Sequence, residues 1–171
     1  MKLGRELIGA DILRETVRRL GAEVSSAYGG VSGELLCVGI LNGCYVFFAD
    51  LLRELTIPVE VAFIRASSYG EGTVSGGDVA VSGDIDVAGR DVLLIDELID
   101  TGHTARRLLD HFAAQAPKTL RYCALLDKPS RREIDVNADF TGLAIEDYFV
   151  VGYGLDCAEK WRNLPTVHIV N

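Results

Sequence analysis

The run Val92-Leu93-Leu94-Ile95, followed at once by Asp96-Glu97 and then by Leu98-Ile99-Asp100-Thr101-Gly102-His103-Thr104, constrains this chain more than any other stretch. Four consecutive apolar residues lack the alternation of a half-exposed strand and predict a parallel strand covered on both faces. The two acids close that strand, and a short loop of Asp100, Thr101 and Gly102 leads into a helix. In an open α/β sheet, ligands bind in the crevice at the carboxyl ends of the strands. The loop 100–104 offers backbone amides, two Thr hydroxyls and a helix N-terminus, a combination suited to one phosphate group. Asp96 and Glu97 would be repelled by that phosphate, so they require a neutral or cationic partner such as vicinal sugar hydroxyls or a divalent metal. Strand, acid pair and loop in this order predict a pocket for a phosphorylated sugar. The plainer alternative is a strand–turn–helix whose acids cap the helix.

The rest of the chain supplies the surroundings of such a strand. Residues 7–20 place Leu7, Ile8, Ile12, Leu13, Val17 and Leu20 on one helical stripe. Gly21 falls near the end of that stripe, and the pattern resumes through Val24 towards Tyr28 before Gly29-Gly30. Residues 35–41 read as a buried strand, 45–55 as a helix facing Phe47, Phe48, Leu51, Leu52 and Leu55 to the core, and 59–66 as the next strand, entered through Pro58. The segment 67–77 holds four glycines and four hydroxyl residues in eleven positions, too little apolar surface to order itself, and predicts a mobile loop. Short strands near 79–81 and 85–87 predict a hairpin at its base. A helix from 104 to about 114, a buried strand at 120–126, and short strands at 148–151 and 167–170 complete the pattern. Strands separated by helices predict a doubly wound, open and mainly parallel sheet with right-handed crossovers.

Composition narrows the partners. With 171 residues the chain has the length of one domain, and its formal net charge of −8 argues against a nucleic-acid backbone as principal partner. An anionic substrate then needs local positive charge, which Lys128, Arg131, Arg132 and Arg162 can supply. No segment approaches the roughly 20 apolar residues of a membrane span, and the charged, amphipathic N-terminus lacks a secretory apolar core. Cys37, Cys44, Cys123 and Cys157 are widely spaced without a C-x-x-C pair, and Cys37 and Cys123 sit inside apolar runs. These features predict a cytoplasmic protein without disulfides or zinc.

The central segment resembles the 5-phosphoribosyl-1-pyrophosphate (PRPP) loop of type I phosphoribosyltransferases, and nearly the whole chain is similar to their hypoxanthine-guanine branch. The resemblance implies the type I fold: a twisted sheet flanked by helices, a small hood within about 128–171, and a flexible catalytic loop at about 67–78. It implies that Asp96 and Glu97 meet the ribose hydroxyls, although the family's usual order is Glu then Asp. Asp100, Thr101, Gly102, His103 and Thr104 match the 5′-phosphate loop, and Asp100 also matches the acid placed near purine N7, where it would exchange a proton with the base. Read without the family, Asp100 is equally a helix cap and His103 a solvated loop residue.

Ile40-Leu41-Asn42-Gly43-Cys44 is similar to the first pyrophosphate loop, often cis at this peptide, with Asn42 standing where a Lys is frequent. Arg162 matches the Arg that grips pyrophosphate in a bidentate manner. Ser68-Tyr69 matches the head of the flexible loop, whose closure keeps water from an oxocarbenium-like sugar carbon. Lys128 matches the Lys that donates to O6 of a 6-oxopurine; taken alone it is a surface Lys. Within 147–156, Phe149 matches the ring that stacks on the base, though by composition alone it reads as buried packing. Val150 and Asp156 match groups facing the base edge. Asp156 is also matched to a magnesium site, with Asp96 and Glu97 as further ligands. Tyr148 replaces a frequent Lys. The implied activity is transfer of phosphoribosyl from PRPP to hypoxanthine or guanine, with Mg2+, in a homodimer or homotetramer. Two rivals share the fold: a xanthine-preferring transferase, and a non-catalytic regulator that senses PRPP or nucleotide.

Overall fold

The computed structural model describes residues 1–68, 79–82 and 84–171, with 67–68 and 79–82 as backbone only. In chain order the elements are β1 (Leu3–Ile8), α1 (Ala10–Tyr28), β2 (Leu35–Leu41), α2 (Tyr45–Glu54), β3 (Val59–Ser68), β4 (Val79–Ser82), β5 (Asp91–Ile99), α3 (His103–Ala113), β6 (Thr119–Asp127), a 3-10 turn (Pro129–Arg131), β7 (Phe140–Ala144), β8 (Val150–Val151) and β9 (Val167–Val170). Six strands form one sheet in the order β4-β3-β2-β5-β6-β7. All neighbours in it are parallel except β4, which runs antiparallel along β3. A second sheet, β1-β9-β8, is antiparallel.

The apolar run at 92–95 is fully buried at the centre of the larger sheet, as its lack of alternation predicts. On one face Leu35, Cys37, Leu93, Ile95, Cys123 and Leu125 pack under α1 and α2. On the other, Leu36, Val38, Val92, Leu94, Tyr122 and Ala124 pack under α3 through Leu108 and Phe112. Cys37 and Cys123 are core residues, and burial pushes the Cys37 thiol up to about 12 and Cys123 higher still. All four cysteines are free. No helix among the described residues is long and apolar enough to cross a membrane.

Four expectations need correcting. Leu7 and Ile8 lie on β1, since pairing with β9 takes the first apolar residues of the supposed helical stripe. Ile12 is 54% exposed and outside the buried stripe, which runs Leu13, Thr16, Val17, Leu20, Gly21, Val24, Ser25, Tyr28. Gly21 is inside α1, not near its end: a Cβ there would lie 2.4 Å from the Glu54 Cβ, so its hydrogen lets α1 and α2 touch. Residues 85–87 form no strand, and β4 pairs with β3 instead, extending the sheet beyond its parallel part. The C-terminal segment 128–171 contributes to both sheets: β7 joins the larger one, and β8 and β9 join β1 in the smaller.

A half-exposed ion pair ties the start of β5 to the entry of β6. Asp91, 6% exposed, accepts from Lys118 Nζ at 2.8 Å and from Thr119 Oγ1 at 2.8 Å. Burial alone would raise its carboxyl, but these two donors outweigh it and hold the group below the ordinary carboxylate value. A depressed folded value means stability that is complete above the unfolded value of about 3.9 and is lost as pH falls through the folded one. Asp91→Asn should therefore cost about 1–2 kcal/mol at pH 7. Urea midpoints of the two proteins should converge as pH falls below the ordinary carboxylate range and through the folded value; a gap that persists in acid would remove the ion pair as its cause.

Candidate active site

The chain leaves β2 for α2 and β3 on one side of the sheet, and leaves β5 for α3 and β6 on the other. The loops after β2 and β5 therefore diverge, opening a crevice at the topological switch point. A cavity of ≈ 400 Å³ lies there. It gathers Asn42 and Gly43 from the first loop, Asp96, Glu97, Asp100, Thr101, Gly102 and Thr104 from the β5–α3 segment, and Asp156 and Arg162 from the C-terminal part.

The β5–α3 loop is built to hold an anion. Gly102 is the N-cap of α3, with φ +94° and no side-chain cap, so Asp100 does not cap the helix. The first helical hydrogen bond is Arg106 N–H to the Gly102 carbonyl, which leaves the preceding amides free at the cavity. The loop is braced from behind: the Thr101 carbonyl accepts from the N–H groups of Glu133 and Ile134 at 3.0 and 3.2 Å. Arg132 bonds the Asp100 carbonyl and the Asp127 carboxylate. His103 does not line the cavity; its Nε2 lies 3.0 Å from Glu133.

The acids sit inside β5, which continues to Ile99 instead of closing at Asp96. Asp96 is 7% exposed, accepting from the Tyr122 hydroxyl at 2.6 Å and from the Glu97 N–H at 3.0 Å. Burial raises its carboxyl despite these bonds. Glu97 reaches to Gly43, where an added Cβ would fall 1.9 Å from its Oε1. Its Oε2 is buried with no hydrogen-bond partner among the described residues. Burial, then the negative charge of Asp96, pushes the Glu97 carboxyl well above the ordinary value. Among the described residues no three His, Cys, Asp or Glu side chains converge as a ready-made metal cage.

Arg162 meets Asp156 at 2.9 Å and Glu159 at 3.0 Å, and donates to the Gly154 carbonyl at 2.9 Å. The Leu41–Asn42 peptide is cis, as the family resemblance implies. Lys128, 5% exposed, places Nζ 3.9 Å from Asp100, whose Oδ1 accepts from Arg131 Nε at 3.2 Å. Arg131 also approaches Asp147 at 3.6 Å. Phe149 is 53% exposed, so it is not core packing, and Val150 behind it is buried in the smaller sheet. Lys128, Phe149 and Val150 lie outside the lining of the cavity that holds the phosphate loop. Tyr69, the side chain of Ser68 and, of the loop expected at about 67–78, residues 69–78 lie outside the described residues.

The family model of the phosphoribosyl transferase domain matches residues 10–158. The chain belongs to the phosphoribosyltransferase family. This phosphoribosyltransferase is 43% identical over 157 residues to a hypoxanthine phosphoribosyltransferase of Salmonella typhimurium, covering 91% of this chain and 88% of that one. It is 42% identical over 166 residues to a hypoxanthine-guanine phosphoribosyltransferase of Bacillus subtilis, covering 96% of this chain and 91% of the relative. A crystal structure of a hypoxanthine-guanine phosphoribosyltransferase from Bacillus anthracis superposes with a TM-score of 0.93 at 40% identity, covering 99% of this chain and 100% of that one.

Sequence reasoning missed three features of the phosphoribosyltransferase site. Arg65, opposite Leu41 in the β2–β3 register, lines the cavity as a further cation. The visible signal was an Arg at the carboxyl end of a parallel strand, where the crevice opens. Tyr122 falls in a run that predicts only a buried strand, and nothing in that run announces a bond to Asp96. The approach of Gly154 to Gly43 was likewise invisible, because it joins segments more than a hundred residues apart.

Proposed function

We propose that this chain moves the 5-phosphoribosyl group from PRPP to N9 of hypoxanthine or guanine, giving IMP or GMP and pyrophosphate. The observation that carries this reading is the single cavity in which the free amides of α3, the acid pair of β5 and two arginines meet. The 5′-phosphate sits on the amides and hydroxyls of 101–104, and the ribose hydroxyls face Glu97 and Asp96. Pyrophosphate lies toward Asn42, Gly43 and Arg162. Arg65 supplies charge that Asn42 lacks, and a charge-assisted bond is about twice as strong as a neutral one.

The base lies on the exposed ring of Phe149, with Lys128 donating to O6 and Asp100 holding the proton at N7. N9 attacks C1′ as pyrophosphate leaves, inverting that carbon. The Ser68-Tyr69 pair carries, by the family resemblance, the role of keeping water from the reacting carbon. The cavity's donors are hard oxygens with one carboxylate oxygen unpartnered, a set that suits magnesium held by one or two carboxylates, water and substrate. Asp96, Glu97 and Asp156 are the residues available to hold it. Magnesium, when bound, supplies neutralisation of the pyrophosphate charge.

The reading takes 1–171 as one transferase domain whose hood is built from β1, β8 and β9. A cytoplasmic setting accords with the four free cysteines. Val61 and Phe63, 44% and 45% exposed on the same face of β3, offer apolar surface of the kind a second copy covers in a homodimer or homotetramer.

Initial rates of pyrophosphate release with PRPP and each of hypoxanthine, guanine, xanthine and adenine test the assignment, with and without magnesium. Hypoxanthine and guanine should lead. A xanthine preference would favour the first rival, and PRPP binding without release from any purine would favour the non-catalytic sensor. Lys128→Ala should lower kcat/KM for hypoxanthine by at least about tenfold and narrow the preference over adenine, because a buried cation selects a carbonyl over an amine. Unchanged selectivity would count against its contact with O6.

A further inference from the structure

The two neighbouring acids of β5 are not equivalent. Both oxygens of Asp96 are engaged within the protein, Oδ2 by the Tyr122 hydroxyl at 2.6 Å and Oδ1 by the Glu97 N–H at 3.0 Å. Glu97 keeps an oxygen without a partner and leans on Gly43 at the other loop. The Tyr122 ring is fully buried among Leu94, Leu108 and Phe112 under α3, where a phenyl ring would pack as well and need no partner. Its hydroxyl instead meets a carboxylate that burial already disfavours, an arrangement that stability alone does not call for. Two hydrogen bonds in series connect it to the substrate side: Tyr122 fixes the Asp96 carboxylate, and Asp96 fixes the peptide from which Glu97 departs.

We propose that Tyr122 is a positioning residue of the PRPP site, whose hydroxyl anchors Asp96 so that Glu97 becomes the acid that meets the ribose hydroxyls and magnesium. The inference rests on the function proposed above and adds a division of labour to it. It also accounts for the order of the acids. The hydroxyl, 2.6 Å from Asp96, leaves no space for a carboxylate one methylene longer, so the short acid stands at 96 and the long one at 97.

The test measures magnesium–PRPP affinity by calorimetry, with KM values and melting temperatures, for the wild type, Tyr122→Phe, Asp96→Glu and the double variant. Tyr122→Phe should weaken PRPP binding by about tenfold, the loss of one hydrogen bond to a charged group, while the KM for hypoxanthine stays within about twofold. Asp96→Glu should weaken it similarly in the presence of the hydroxyl. The double variant should return to within about threefold of the wild type, because the longer acid then has the vacated space. Wild-type affinity in Tyr122→Phe, with or without a lower melting temperature, overturns the inference, as do losses that simply add in the double variant. A wild-type protein that binds no PRPP at all would instead refute the proposed function, so the two failures are distinguishable.

Discussion

Asp100→Ala is expected to lower kcat by about 10²–10⁴-fold, the range over which a positioned proton-transfer group contributes. Asp100 stands where β5 ends and the phosphate loop begins, and it neither caps α3 nor pairs tightly with Lys128, 3.9 Å away. Its Arg131 partner is 45% exposed, so the pair does little to hold the fold together. The carboxylate is thus positioned between the Lys128 and Arg131 cations. Magnesium–PRPP affinity should change by less than about threefold, since the loop amides and β5 acids remain. Asp100→Asn separates proton transfer from shape: it preserves the size and one acceptor but cannot take up a proton. Asn as slow as Ala assigns the effect to proton exchange at N7. A kcat unchanged in both variants would remove Asp100 from the mechanism.

The parallel core was legible because its strands carry their own signal. β2, β5 and β6 are buried on both faces and read as continuous apolar runs, and β9 matches the expected range of 167–170. The elements that were missed lack such runs. β1 interleaves Gly4, Arg5 and Glu6 with its apolar residues, and β7 has one buried residue, Phe140, in five. Both are edge strands, stabilised by a partner strand more than by their own composition. Leu7 and Ile8 fit a helical stripe and a strand equally well, and the long-range pairing with β9 decides between them.

The site divides in the same way. The phosphate loop and acid pair lie within nine consecutive residues, so local chemistry exposes them: amides at a helix start, acids at a strand end. What the sequence does not contain is which oxygen of which acid is already engaged. That depends on Tyr122, one strand away, and on Gly43 across the crevice. The four cations proposed as anion binders are likewise all engaged by acids: Lys128 and Arg131 at Asp100, Arg132 at Asp127, and Arg162 at Asp156 and Glu159. A net charge of −8 makes such pairing the rule, so an incoming pyrophosphate must compete with carboxylates for Arg162. Arg65, which lines the cavity, adds to the positive charge available there.

Gly154→Ala should damage both the fold and the pyrophosphate side of the site through a single methyl group. Gly154 has φ +101°, and a Cβ on it would fall 2.1 Å from the Gly43 carbonyl oxygen, a backbone atom that no side-chain rotation can clear. The same residue donates its N–H to the Arg162 carbonyl at 3.0 Å and accepts from Arg162 Nη1 at 2.9 Å. One methyl group therefore pushes apart the two segments proposed to hold pyrophosphate, the loop at 42–43 and Arg162. The left-handed backbone costs about 1–2 kcal/mol and the backbone clash adds to it, for a total of about 2–4 kcal/mol. In a chain of this length that corresponds to a melting-temperature drop of roughly 5–15 °C. KM for PRPP should rise by at least about 30-fold as the two segments separate, while KM for hypoxanthine moves far less. Gly30→Ala is the control, because a Cβ there meets nothing within 4 Å, and it should leave both quantities unchanged. Wild-type stability and PRPP affinity in Gly154→Ala would mean that the crevice tolerates a wider separation of its two loops, and that the close approach of Gly154 to Gly43 does not set the pyrophosphate site.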